Sequence, residues 1–182
     1  MHTFDIYLNN IILANWTNPL LKEKGITAAI LRLDKIHPPI SWNKWLKLKY
    51  YLQEAIQNNK RGIITFGGAF SNHIIAAACA AQINSLKSIG IIRGEEQAPL
   101  SPTLQQAKTF GMQLIFINRE KYKYKDDAGF LNKLQTDYED YLIIPEGGAG
   151  VPGAKGCSEI LSFAGKENYT HILCAMGTGT MF

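Results

Sequence analysis

Lys44 and the run Thr65-Phe66-Gly67-Gly68-Ala69-Phe70-Ser71-Asn72-His73 hold the residue types in this chain best suited to chemistry. An unprotonated lysine is a nucleophile that condenses with aldehydes, and a lysine at a helix start loses its proton more easily because the helix dipole repels positive charge there. Lys44 stands in Ser41-Trp42-Asn43-Lys44-Trp45-Leu46-Lys47, where either Ser41 or Asn43 suits a helix N-cap. Lys47 lies three residues on and shares its helical face. Position alone leaves a solvated surface lysine as the simpler reading of Lys44. The Gly67-Gly68 turn follows an apolar run and precedes a small-residue stretch, Ile74 to Ala81. It reads as strand, turn and helix start, a place where bare N–H groups and the Ser71 and Asn72 side chains can face an anionic or electron-rich ligand. Near the other end, Gly177-Thr178-Gly179-Thr180 combines glycines with two hydroxyls, a composition that cradles phosphate; it lacks the Lys-Ser/Thr ending of a nucleotide-triphosphatase loop.

These residues need a frame, and the hydropathy pattern supplies one. Short runs that are apolar on both faces recur at 26–33, 63–66, 88–92, 114–117, 141–144 and 171–176, and each reads as a buried strand. Helical patterns lie at 45–57, 74–82, 102–110, 127–134 and 154–163. The alternation predicts an α/β fold of open parallel sheets with helices on both faces, a class that binds ligands at the carboxyl ends of its strands. Three of the predicted strands run into glycine-rich turns, at Gly67-Gly68, at Gly147-Gly148-Ala149-Gly150 and at Gly177 to Thr180.

Composition narrows the partners. In 182 residues, 19 Lys and Arg stand against 15 Asp and Glu, a net charge of +4, but the basic residues are scattered and form no coherent stripe. Nucleic acid is therefore not an expected partner. Cys79, Cys157 and Cys174 are widely spaced, with no pairing or metal-ligand pattern, which fits a reducing cytoplasm. The run Ile11 to Ala14 is too short for a signal core or a membrane span.

Taken in order, four segments resemble the fold-type II pyridoxal-phosphate enzymes, tryptophan synthase beta-like in fold. Within them the chain is similar to the family of 1-aminocyclopropane-1-carboxylate deaminase and D-cysteine desulfhydrase. The segments are Ser41-Trp42-Asn43-Lys44, Gly67-Gly68-Ala69-Phe70-Ser71-Asn72, Pro145-Glu146-Gly147-Gly148 and Gly177-Thr178-Gly179-Thr180. The resemblance implies pyridoxal 5′-phosphate as cofactor, held by Lys44 as an imine, with Lys44 also moving the substrate's α-proton. It implies Lys47 near the cofactor phosphate, Asn72 on the ring oxygen, Ser71 facing the substrate, and Gly177, Thr178, Gly179 and Thr180 as the phosphate loop. The implied activity is a deaminase or lyase acting on a small amino acid, releasing a 2-oxo acid and ammonia. Ser71-Asn72-His73 resembles the desulfhydrase branch more than the deaminase branch, while His73 reads equally as a helix-start residue bonded to a nearby carbonyl. Cysteine synthase and threonine dehydratase relatives are a more distant match.

Two departures from the family pattern bear on these expectations. Trp42 stands where the family has Gly, placing a large ring beside Lys44. The chain stops at Phe182, two residues past the phosphate loop, so it reads as a C-terminally truncated fragment that binds the cofactor weakly or not at all, or as a non-catalytic remnant serving as a binding module. The expected organisation is residues 1–44 as the N-terminal part of a larger lobe, 45–140 as a smaller α/β lobe, and 141–182 as a partial larger lobe. A homodimer is the assembly the resemblance implies for the full-length protein.

Overall fold

The computed structural model describes residues 8–40, 43–165, 169–175 and 180. Its centre is a parallel sheet of four strands: β3 (Gly62–Gly67), β4 (Lys87–Arg93), β5 (Gln113–Ile117) and β6 (Tyr141–Ile144), in the order β5-β4-β3-β6. Every residue of β3 is buried, because this strand has neighbours on both edges and helices on both faces. Its side chains alternate as a pleat requires. Ile63 joins the core beneath α2 (Lys44–Gln57), α3 (Asn72–Ile83) and α4 (Pro102–Thr109), while Ile64 and Phe66 join a second core. That second core includes Tyr122, from α5 (Arg119–Tyr122), and Leu134, from α6 (Ala128–Asp137). The α/β class with helices on both faces is thus the observed architecture.

Two features differ from the sequence reading. The run at 26–33 forms β2 (Ala28–Arg32), which pairs antiparallel with β1 (Ile12–Trp16) in a separate two-stranded ribbon. Five residues fit a ribbon with one covered face as well as they fit a buried parallel strand, and periodicity over so short a run does not separate the two. Ile12, Trp16 and Ile30 share the exposed face of this ribbon. The expected strand at 171–176 is absent over residues 171–175, where Ile172 is 65% and Leu173 94% exposed. An apolar run becomes a strand only when a neighbour completes its hydrogen bonds, and no described strand pairs with this one. β6 pairs with β3 in register, Gly62 with Tyr141 and Thr65 with Ile144.

Two short helices absent from the reading carry clear caps. In α1 (Pro19–Glu23) the Asn18 side chain accepts from Leu21 N–H and Pro19 occupies the first turn; in α5 Asn118 accepts from Lys121 N–H. The last helix, α7 (Val151–Ser158), lies directly on α2. Gly156 makes this approach possible, and Gly153 brings α7 equally close to the turn after β6. A Cβ on Gly156 would enter the Leu46 carbonyl oxygen, and one on Gly153 would enter the Gly148 carbonyl oxygen. Glu159, just past α7, completes the clasp by accepting from Lys49 Nζ at 2.9 Å and from the Tyr50 hydroxyl.

Candidate active site

The carboxyl ends of β3 and β6 gather the residues singled out by their chemistry. Gly67 ends β3 with no room for a side chain: a Cβ there would lie 2.6 Å from Ile74 Cγ1 and 2.8 Å from Ser71 Oγ. This close approach lets the chain turn at once into α3, whose N-cap is Ser71, its hydroxyl accepting from Ile74 N–H at 3.4 Å. Having accepted, that hydroxyl keeps its own hydrogen to donate outward. Asn72 is the first residue of α3 and is exposed.

His73 is only 3% exposed and is part of a fixed chain of contacts. The Thr65 hydroxyl donates to the Ile144 carbonyl at 3.0 Å. With its one hydrogen so used, Thr65 Oγ1 accepts from His73 Nε2–H at 2.8 Å. The chain ties β3, α3 and β6 together, and it puts the imidazole proton on Nε2. His73 Nδ1 is left with no hydrogen-bond partner among the described residues. Burial, and then the ammonium groups of Lys44 and Lys47, push the His73 pKa down to about 3, so the ring is neutral at any ordinary pH.

Lys44 begins α2 and Lys47 sits one turn on. Asn43 occupies the N-cap position without capping the helix; its side-chain oxygen accepts from Lys44 Nζ at 2.8 Å instead. Burial, and then the neighbouring Lys47, lower the Lys44 pKa. Burial is thus the leading cause rather than the helix start. Lys47 is 4% exposed and its pKa is likewise lowered by burial. Both amines are eased toward the neutral, nucleophilic form. Facing them from α7 is the buried Cys157, whose thiol burial pushes up while the two lysines oppose that shift.

The turn after β6 completes this region. Gly147, Gly148 and Gly150 all have positive φ, and a Cβ on Gly148 would lie 3.0 Å from Lys47 Cβ. The Tyr51 hydroxyl donates to the Ala149 carbonyl, fastening the turn to α2. Thr180 approaches the first turn of α7, its Cγ2 lying 3.5 Å from where a Gly153 Cβ would be. Lys44, Lys47, Ser71, Asn72 and Thr180 are therefore placed around the ends of β3 and β6. Ser41, Trp42, Gly177, Thr178 and Gly179 lie outside the described residues.

No family model matches the chain. A provisionally named 1-aminocyclopropane-1-carboxylate deaminase of Thermotoga maritima is 30% identical over 166 residues, 87% of this chain and 53% of that protein. An Arabidopsis thaliana protein named bifunctional D-cysteine desulfhydrase/1-aminocyclopropane-1-carboxylate deaminase, mitochondrial, is 29% identical over 87% of this chain and 41% of its own length. The crystal structure of an ACC deaminase homologue superposes with a TM-score of 0.65 at 25% identity, over 93% of this chain and 55% of that one. The chain is a homologue of the 1-aminocyclopropane-1-carboxylate deaminase and D-cysteine desulfhydrase proteins. This homologue spans about half the length of the curated relatives it matches. Its fold is that of the fold-type II enzymes. Escherichia coli diaminopropionate ammonia lyase, solved in complex with an aminoacrylate–pyridoxal-phosphate reaction intermediate, shares that fold at 11% identity and a TM-score of 0.58, over 85% of this chain and 43% of its own.

The sequence reading missed Thr65, Cys157, Gly153 and Gly156. The spacing of Gly153 and Gly156, three apart on one helix face, is a signal for close backbone contacts, here with the Gly148 turn and with α2. Nothing in one dimension links Cys157 to Lys44, or Thr65 to His73.

Proposed function

We propose that the protein containing this chain is a pyridoxal-phosphate-dependent deaminase or lyase acting on a small amino acid, releasing a 2-oxo acid and ammonia. The observation that carries this reading is the meeting of a half-buried lysine, Lys44, and a buried one, Lys47, both of lowered pKa, with a glycine turn and a helix start at the carboxyl ends of β3 and β6. The residues fit the cofactor. An eased amine suits its aldehyde, and a buried second cation beside the positive-φ Gly148 suits its phosphate. In this reading Lys44 and Lys47 hold the aldehyde and phosphate ends, Thr180 and the adjoining glycines add phosphate contacts, and the Asn72 amide donates to the ring oxygen.

When bound, pyridoxal phosphate supplies the electron sink that weakens the bonds at an amino acid's α-carbon. The rest falls to the protein. Lys44 Nζ, eased toward its neutral form, takes the proton from the α-carbon. Ser71, whose oxygen is occupied by Ile74 N–H, turns its hydrogen toward the substrate carboxylate. Two relatives bear on the substrate: the names of the Thermotoga and Arabidopsis proteins cite 1-aminocyclopropane-1-carboxylate, and that of the latter also D-cysteine. Ser71-Asn72-His73 favours D-cysteine, from which sulfide would leave together with the 2-oxo acid and ammonia.

The test is reductive trapping. The full-length protein containing this chain is mixed with excess pyridoxal phosphate, reduced with borohydride and mapped by mass spectrometry. The expected result is a label on Lys44 that persists in Lys47→Ala at reduced yield and vanishes from that position in Lys44→Ala. A label spread evenly over the surface lysines, with none concentrated at Lys44, overturns the reading and favours a binding module of the same fold.

A further inference from the structure

His73 does one job with Nε2 and leaves its other nitrogen idle. Nε2–H bonds Thr65 Oγ1, which in turn bonds the Ile144 carbonyl, and this tie helps to anchor α3 to the sheet. Nδ1 is then a lone-pair acceptor inside a residue 3% exposed, and it has no hydrogen-bond partner among the described residues. A buried acceptor left unpaired costs about 1–3 kcal/mol. A side chain needed only as a tie would carry no such second acceptor.

The cations nearest in influence to this ring are the two lysines at the start of α2, the helix packed against α3, Lys44 acting more strongly than Lys47. Lys44 Nζ spends one hydrogen on Asn43 Oδ1 at 2.8 Å and has others to give. The stem of Lys47 is occupied against Gly148. We propose that His73 is a positioning residue for Lys44: its Nδ1, locked as an acceptor by Thr65, takes a hydrogen bond from the Lys44 amine, directly or through one water. It thereby sets where that amine points and the pH at which it becomes neutral.

The inference rests on the functional reading of Lys44, and the physics gives it a sign. An acceptor favours the charged donor over the neutral one, so it holds the Lys44 pKa up against the pull of burial. The titratable groups that bear on Lys44 are Lys47 on its own helix and Cys157 on α7; those that bear on His73 are Lys44 and Lys47. Removing the acceptor leaves the downward influences of burial and Lys47 less opposed. A His73→Gln substitution supplies an amide whose NH₂ can donate to Thr65 while its oxygen takes the place of Nδ1.

The experiment measures borohydride trapping of pyridoxal phosphate on Lys44 as a function of pH, with circular dichroism on each variant. His73→Leu is expected to lower the pH midpoint by about one unit, a tenfold change in the amine's ionisation equilibrium. His73→Gln is expected to keep the wild-type midpoint. Thr65→Val, which frees the ring to move its proton to Nδ1 and so turns an acceptor into a donor, is expected to lower the midpoint in the same direction. If His73→Leu fails to fold, Thr65→Val and His73→Gln decide the matter between them. A wild-type midpoint in every folded variant overturns this inference while leaving the functional reading standing; absence of trapping at Lys44 in the wild type at every pH overturns both.

Discussion

Replacing Gly156 by alanine separates two effects of opposite sign. On helix propensity alone the change should help: alanine is favoured over glycine in a helix interior by about 1 kcal/mol. In α7, however, the added Cβ would fall well inside the 3.0 Å limit that real Cβ contacts respect, and the atom it meets is the backbone oxygen of Leu46, which cannot rotate away. The helices would have to part by more than about 1 Å, and overpacking of this kind costs about 1–3 kcal/mol or more when backbone must shift. The clash wins, and a net loss of about 1–2 kcal/mol is expected. For a chain of this size that is a fall in Tm of about 2–8 °C. Urea denaturation gives the free energy directly, and the linear-extrapolation slope checks that the native state has kept its compactness. Because Leu46 lies between Lys44 and Lys47, the yield of pyridoxal-phosphate trapping at Lys44 is expected to fall as well. Gly129→Ala in α6 is the milder comparison: there the nearest atom is Asp127 Oδ1 at 3.1 Å, the N-cap acceptor for Gly129 and Phe130 N–H, and it need shift by only a few tenths of an ångström. A Gly156→Ala chain as stable as the wild type, or more stable, would refute the reasoning, since propensity would then have outweighed the contact.

Two further outcomes follow from the same region. Ser71→Ala should cost about 0.5–1 kcal/mol in urea denaturation, at the low end for a lost N-cap because the bond to Ile74 N–H is long at 3.4 Å. It should leave trapping at Lys44 intact and slow turnover of amino acids by the full-length protein. The pH dependence of stability should carry a limb due to His73, whose pKa is about 3 when folded against an ordinary value of 6.5. The unfolded chain binds the proton more readily, so this contribution is complete above pH 6.5 and is lost as pH falls toward 3. The loss between pH 6.5 and 5.5 should be about 1 kcal/mol, and it should be missing from His73→Gln when the two chains are unfolded in urea at each pH.

The parts of the fold that were legible in sequence are those fixed by local pattern. The runs behind β3, β4, β5 and β6 are short, apolar and bounded, and a buried parallel strand needs little more. The cap residues of α1 and α5, Asn18 with Pro19 and Asn118, stand in the sequence, but the helices they open are too short to show a helical period. What pairing decides was not legible. The run at 26–33 found an antiparallel partner in Ile12–Trp16, and the run at 171–175 found none among the described strands. At the site, Lys44, Lys47, Ser71 and Asn72 were singled out by residue type and order. The bland alternative for His73, a helix-start residue with a nearby hydrogen bond, came close in kind, but its partner is the Thr65 hydroxyl rather than a carbonyl. Which nitrogen of His73 carries the proton follows from a strand partner 79 residues distant from Thr65, and no spacing rule reaches that far.

The β1–β2 ribbon has a consequence for how the chain comes apart. Two strands without a third are marginal by themselves, and this ribbon keeps Ile12, Trp16 and Ile30 on its open face while the four-stranded sheet buries all of β3. The molecule therefore holds two units of unequal depth in free energy. The amides of the ribbon would exchange with solvent through a shallow local opening, and those of β3 only through loss of the whole sheet. Lys44 begins the helix that covers β3, so its setting belongs to the deep unit and would outlast the fraying of the ribbon.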